Sequence, residues 1–285
     1  MTDSAQALAS GKGHRDENFP VASFVLKPEH RGPVMDFYRF ARLADDIADN
    51  PQSPPAHKLA LLAQMRAGIE GDALAAPEAA ALARTMAQRG LDPIHARDLL
   101  CAFERDARGD PTPTWDALMD YCRYSAMPVG RYVLDVHGEA RSTWPASDAL
   151  CAALQIINHV QDCAKDYRAM GRVYLPSDML AAHGSSAADL LLPAATPGLR
   201  AVIRELALRA QALLDESAHF SGMIRDARLA IEVAIIHGLA VSLAAKLVVR
   251  DPLSERVHHG KLEAAVLALR AGAGQWWDRI RNRAR

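Results

Sequence analysis

Apolar residues recur at spacings of three and four along nearly the whole chain, and strict apolar/polar alternation is scarce. That periodicity belongs to amphipathic helices, so the chain is expected to be all-α. Clusters of Pro and Gly divide the pattern at residues 27–33, 50–56, 71–77, 90–93, 108–114, 139–146, 171–177, 183–198 and 250–254. Helices of ordinary length should lie between them. The most apolar long run, 229–249, is interrupted by Glu232, His237, Ser242 and Lys246, and so reads as a central buried helix rather than a membrane span.

Two stretches break the apolar pattern with clustered short polar side chains. At about 100° per residue, Tyr38, Arg42, Asp45 and Asp49 fall on one narrow stripe, with Asp46 rotated from it. Phe37, Phe40, Ala44, Ile47 and Ala48 take the opposite side, and Pro51 ends the helix. In the second stretch Asn158, Asp162 and Asp166 climb at i, i+4 and i+8, against an apolar side of Ile157, Val160, Ala164 and Tyr167. Gly171 is placed as a C-cap, Pro176 blocks continuation, and Ser177 or Asp178 can cap the next helix.

An acidic cluster is most often a solvated face. Three Asp in one turn without Lys at i+4, however, carry a like-charge cost and are mediocre helix formers. A bound cation would offset that cost. Mg²⁺ prefers hard oxygen ligands and binds carboxylates together with phosphate oxygens, so a diphosphate held through Mg²⁺ accounts for both stripes. Arg42 could contact the same phosphate oxygens or simply pair with Asp45 or Asp46.

Composition narrows the setting. The chain has 285 residues, 50% hydrophobic, with a formal net charge of −1, enough to bury a substantial core and too balanced for bulk attraction to nucleic acid. Four scattered cysteines with no C-x-x-C pair favour reduced thiols and a cytoplasmic protein. Residues 1–17 read as a loose tail without the apolar core of a signal peptide, residues 18–270 as one continuous domain, and 271–285 as a basic Trp/Arg-rich segment.

A third element runs from Tyr121 to Arg131. Tyr121, Tyr124 and Ser125 recur at three and four, and Pro128 is expected to kink the helix and free a carbonyl. Aromatic faces here would suit a carbocation, although a core helix with satisfied hydroxyls has the same pattern.

Taken in order, Asp45-Asp46-Ile47-Ala48-Asp49, the Tyr121–Gly130 stretch, and Asn158 through Asp166 followed by Gly171-Arg172-Val173-Tyr174-Leu175-Pro176 resemble the squalene/phytoene synthase family over residues 18–256. The resemblance implies a single-domain class I isoprenoid synthase helical bundle with a central cavity, Mg²⁺, and a prenyl diphosphate substrate. By that resemblance Asp45, Asp46, Asp49, Asn158, Asp162 and Asp166 would hold Mg²⁺. Arg42, Tyr121, Asn158 and Arg256 would serve the reaction at the diphosphate, and Tyr38, Tyr124, Ser125 and Arg172 would complete the substrate surface.

Glu17-Asn18-Phe19-Pro20-Val21-Ala22-Ser23 is similar to the bacterial branch of the family that forms hydroxysqualene for hopanoids. Head-to-head synthases commonly carry a His/Ser/Lys-containing segment before the equivalent of Phe19, where this chain has Arg15, Asp16, Glu17 and Asn18. A tyrosine expected upstream of Arg256 is Leu239. Both departures point to ionisation of presqualene diphosphate followed by water capture, without the preceding joining step. Functional coupling to other squalene-pathway enzymes is expected of such an enzyme.

Other readings remain open at this point: a head-to-head prenyl transferase, a terpene cyclase, and a non-catalytic helical scaffold. A di-iron bundle is a further one, since Glu216/His219 and Glu255/His258 are both E-x-x-H pairs. His14, His159, His237 and His258 read as structural or solvent-facing. The C-terminus pairs Trp276 and Trp277 with four arginines, and could either sit peripherally on the inner face of an anionic membrane or pack as a last helix.

Overall fold

The computed structural model describes residues 26–72 and 76–283, the side chains of the last two of these excepted. The tail over residues 1–17, including His14 and Arg15, and the Glu17–Ser23 motif lie outside the described residues. Twelve α-helices and two short 3-10 turns, with no strand among the described residues, bear out the all-α expectation. They group into two compact units. One comprises the described residues up to Asp110 together with Pro128–Ala140; the other comprises Pro111–Met127 and the chain from Arg141 onward.

The first unit holds α1 (Pro28–Asp49), α2 (Pro55–Ile69), α3 (Pro77–Arg89), α4 (Ile94–Arg108) and α6 (Met127–Val136). Phe37, Phe40, Ala44, Ile47 and Ala48 are all buried, as the periodicity of α1 requires, and α1 packs on α3 and α4. The break expected at residues 27–33 does not occur. Pro28 starts the helix, where no amide donor is needed, and the helix runs on through Pro33. Pro33 cannot donate to the Glu29 carbonyl four residues back, and the guanidinium of Arg89 donates to that carbonyl instead. The Pro33 carbonyl in turn accepts from the Tyr132 hydroxyl of α6 at 3.2 Å, and the Tyr132 ring stacks on Phe37 at 4.0 Å.

The second unit holds α5 (Trp115–Ser125), α7 (Trp144–Met170), α8 (Ser177–Ala182), α9 (Pro197–Glu216), α10 (Phe220–Met223), α11 (Ala227–Val249) and α12 (Lys261–Arg283). The kink expected at Pro128 is instead a full break between α5 and α6. Pro128 falls in the first turn of α6, where its missing N–H costs nothing. In α7, Ile157, Val160 and Ala164 are buried and Tyr167 is half-buried, with Gly171 capping the helix at φ +70°. This left-handed backbone favours glycine. The cap expected from Ser177 or Asp178 does not form: both lie inside α8, whose N-cap position is Pro176 without a side-chain cap. Asp178 accepts the adjacent Met179 amide at 2.7 Å, and the Ser177 hydroxyl donates to the Pro113 carbonyl.

Helix α7 packs against α5, α9 and α11, and α11 packs on α7, α9, α10 and α12. Helix α11 is long and apolar enough to cross a membrane by composition alone. Its buried residues, among them Leu239, Leu243 and Leu247, mark the side turned to these neighbours. His237 is structural, bonded to the Leu214 carbonyl at 2.8 Å.

Candidate active site

Each unit carries one acidic helix face. On α1, Arg42 bonds two carboxylates at once, Asp45 at 2.9 Å and Asp46 at 3.0 Å. The intrahelical pairing that the spacing allowed is thus present with both partners. Asp46 is buried, whereas Asp45, Asp49, Arg42 and Tyr38 are half-buried. Burial pushes the Asp45 carboxyl up to about 8; the negative charges of Asp49, Asp46 and Asp106 add to the rise and Arg42 opposes it. Asp106 lies on α4, and nothing in the local pattern of α4 singled it out. With 33% of its side chain still open to water, Asp45 is within reach of an incoming ion.

This electrostatic situation is a test of the metal expectation. Asp45, Asp46, Asp49 and Asp106 crowd one region, and Arg42 offsets part of their charge at Asp45. A hard divalent cation would relieve the crowding, and an all-oxygen donor set is the kind Mg²⁺ takes. The residues present fit the ion.

On α7, Asn158, Asp162 and Asp166 are half-buried, and Lys165 reaches Asp162 at 3.2 Å. One residue from Asp162, buried Gln161 donates its side-chain amide to the Val257 carbonyl at 2.5 Å and lies 3.0 Å from Nδ1 of His258. This ties the segment between α11 and α12 to the acidic helix. Lys246 holds the same segment from the other side, at the His258 carbonyl, 3.2 Å away. His258 is held below its ordinary value, first by burial and then by Arg256, while Asp162 pulls the other way. Both Arg256 and Asp162 therefore act on the same imidazole. Arg256 itself is exposed.

A ring cluster flanks Asn158. His159 lies 3.8 Å from the Tyr174 ring and 5.6 Å from Tyr121, and the two tyrosines are 5.3 Å apart. Burial, and then the charge of Arg172, hold His159 down to about 3. The Gln155 amide, 2.9 Å from its Nε2, suits the neutral ring. Tyr121 and Arg172 of the expected set are thus brought to one place. The Ser125 hydroxyl is buried without a hydrogen-bond partner at the end of α5, and the Tyr124 ring carries Arg123 at 5.7 Å.

His159 is the structural histidine that the sequence reading allowed, whereas nothing in the local pattern marked Gln161, Gln155 or Asp106. Tyr174 joins the cluster from the Gly171–Pro176 segment, and its spacing after the Gly171 cap is the local signal for it. The E-x-x-H pairs do not form a di-iron pattern. Glu216 and His219 are exposed where α9 ends, and Glu255 and His258 lie outside any helix.

The model of the squalene/phytoene synthase family matches residues 13–263. The chain belongs to that family. It is 54% identical over 273 residues to a hydroxysqualene synthase of Zymomonas mobilis, covering 95% of this chain and 92% of that protein. A hydroxysqualene synthase of Rhodopseudomonas palustris is 48% identical, with 94% and 92% covered. Among solved structures, squalene synthase HpnC from Alicyclobacillus acidocaldarius matches with a TM-score of 0.71 at 34% identity, covering 85% of this chain and 91% of the other. A dehydrosqualene synthase matches at TM-score 0.75 and 23% identity, a likeness of fold alone. The chain has the helical isoprenoid synthase fold of these family members.

Proposed function

We propose that this family member ionises presqualene diphosphate and captures the rearranged cation with water, giving hydroxysqualene and diphosphate. The observation that carries the reading is the identity of 54% to one hydroxysqualene synthase and 48% to another, each over more than nine-tenths of both chains. Leu239, where a head-to-head synthase would be expected to have a tyrosine, is a buried side chain of α11 and agrees with an enzyme of the second half-reaction.

In this reading Asp45, Asp46 and Asp49 of α1 and Asn158, Asp162 and Asp166 of α7 would hold Mg²⁺. When bound, the ion neutralises charge on the diphosphate and so eases departure of the leaving group. Arg42, Arg172 and Arg256 bind diphosphate oxygens; Arg42, already spanning two carboxylates, can give up one for a phosphate. The C–O bond breaks with its electron pair leaving on diphosphate. The cyclopropylcarbinyl cation opens, with the rings of Tyr121 and Tyr124 suited to stabilise it, and Tyr38 and Ser125 would be further substrate contacts. Water then bonds to the cation and loses a proton. No hydride donor enters this balance.

Cytoplasmic placement, coupling to neighbouring enzymes of squalene synthesis, and contact of the Trp/Arg end with the inner membrane face are parts of the same proposal. The deciding experiment incubates purified protein and Mg²⁺ with presqualene diphosphate or farnesyl diphosphate and identifies products by mass spectrometry. Hydroxysqualene from the first substrate supports the assignment. Efficient conversion of the second to presqualene diphosphate overturns it in favour of a prenyl transferase.

A further inference from the structure

Helix α12 is packed inside out. Ala271 meets α11 at Gly238, where an added Cβ would stand 3.3 Å from the alanine's own, and Gly272 faces Ile231 and Ile235. Ala264, Leu267 and Ala268 are half-buried on the same helix, and the C-terminal half of the inner side is fixed by polar contacts. Gln275 exchanges hydrogen bonds with Ser221 at 3.0 and 3.1 Å, and Arg279 donates to the carbonyls of Ile224 and Arg225 at 2.8 and 2.6 Å. Small and polar groups, with Leu267, thus make up the half-buried side, while Leu262 (79% exposed), Val266, Leu269 (72%), Trp276 (56%), Trp277 (61%) and Ile280 face water.

On a helix these six positions fall within an arc of about 100°. Exposed apolar residues scattered singly need no explanation, but a continuous stripe along a helix held rigidly from behind marks a surface that is covered. Charge indicates by what. Lys261, Arg270, Arg279, Arg281, Arg283 and Arg285 stand against Glu263 and Asp278, a net +4 in a chain whose total is −1, so the remainder carries −5. Around the wheel, Arg270 and Arg281 sit at one edge of the apolar arc. Two such helices facing each other would bring like charges together. An anionic bilayer meets both features, taking the apolar side chains at its interface and the arginines at its headgroups, with tryptophan favoured at that depth.

We propose that α12 is an interfacial helix that docks the protein on an anionic lipid surface along its whole length, from Leu262 to Ile280. The stripe extends the contact expected of residues 271–285 back by about two and a half turns, and the proposal does not depend on which prenyl diphosphate is the substrate.

The test uses the full chain without substrate, sedimented with vesicles of phosphatidylcholine alone or mixed with phosphatidylglycerol. The wild-type protein should sediment with the anionic vesicles, and Trp fluorescence should shift to the blue. A Leu269→Ser/Trp276→Ser/Trp277→Ser variant should bind about tenfold or more weakly, with an unchanged circular dichroism spectrum. An Arg270→Glu/Arg281→Glu variant should lose the preference for anionic lipid. Equal binding of the triple variant, or no binding of the wild type, would overturn the proposal. So would a dimer in vesicle-free solution that the triple variant abolishes, which would assign the face to a second copy. Vesicle binding gained only on deletion of residues 1–25 would assign it to that segment.

Discussion

The side-chain amide of Gln161 and the carbonyl of Val257 form a buried hydrogen bond linking α7 to the segment that carries Arg256. Gln161 precedes the expected metal ligand Asp162 and Val257 follows the expected phosphate arginine, so one bond sets both on a common frame. Gln161→Leu should leave the Val257 carbonyl unsatisfied and cost about 1–3 kcal/mol of stability, read from urea denaturation. It should also lower kcat/KM for presqualene diphosphate about tenfold, mostly through KM. An unchanged KM would show that the bond serves the fold alone.

Asp45 should separate activity from stability. Asp45→Asn removes a group whose charged form is disfavoured by burial and by Asp49. The metal-free protein should therefore unfold at the same urea concentration as wild type or a higher one. Product formation should fall about 100-fold. Asp162→Asn should fall similarly in activity, and wild-type turnover in either variant would remove its carboxylate from the site.

The two strongly shifted groups beside the acidic faces predict opposite pH limbs in the absence of metal. Asp45 is raised from 3.8 to about 8, so its contribution to stability is complete below 3.8 and is lost as pH rises through 8. His159 is lowered from 6.5 to about 3, so its contribution is complete above 6.5 and is lost as pH falls through 3. Urea midpoints measured across this range should fall on both sides, and Asp45→Asn should flatten the alkaline limb only. Mg²⁺ must displace the Asp45 proton, so its affinity should rise about tenfold per pH unit up to that pKa. Calorimetry in buffers of different ionisation enthalpy would count the proton released.

All four cysteines are free, and burial pushes the thiols of Cys122 and Cys163 up to about 12. These two should resist alkylation in the native protein at pH 8 and react only on unfolding. Mass spectrometry of the modified sites, before and after denaturant, checks this residue by residue.

What could be read from the chain was what repeats within a helix. The buried side of α1, the acidic stripes and the Gly171 cap are all consequences of local spacing, and each is where spacing places it. What could not be read depends on partners far along the chain. Pro33 looked like a helix stop because its neighbours cannot show that Arg89 would satisfy the carbonyl it strands. Gln161 looked like one more polar residue because its acceptor belongs to a segment almost a hundred positions away. Asp106 acts on Asp45 from another helix, and the outward Trp276 and Trp277 became meaningful only once glycine and alanine were found to occupy the inner side of α12.

The order in which the two units use the chain constrains how the protein can be made. The first unit lacks α6 until residues 128–140 have been synthesised, and by then the chain has already passed through α5 of the second. A nascent chain ending at Asp110 would present the Phe37 ring without Tyr132 stacked on it, and His95 without the Asp135 carboxylate that meets it at 2.9 Å. Neither unit is a contiguous stretch of gene. A single crossover after Ala140 that carries the whole first unit also carries α5, which packs on α7 in the second, so neither acidic helix can be exchanged at one point without disturbing the surroundings of the other.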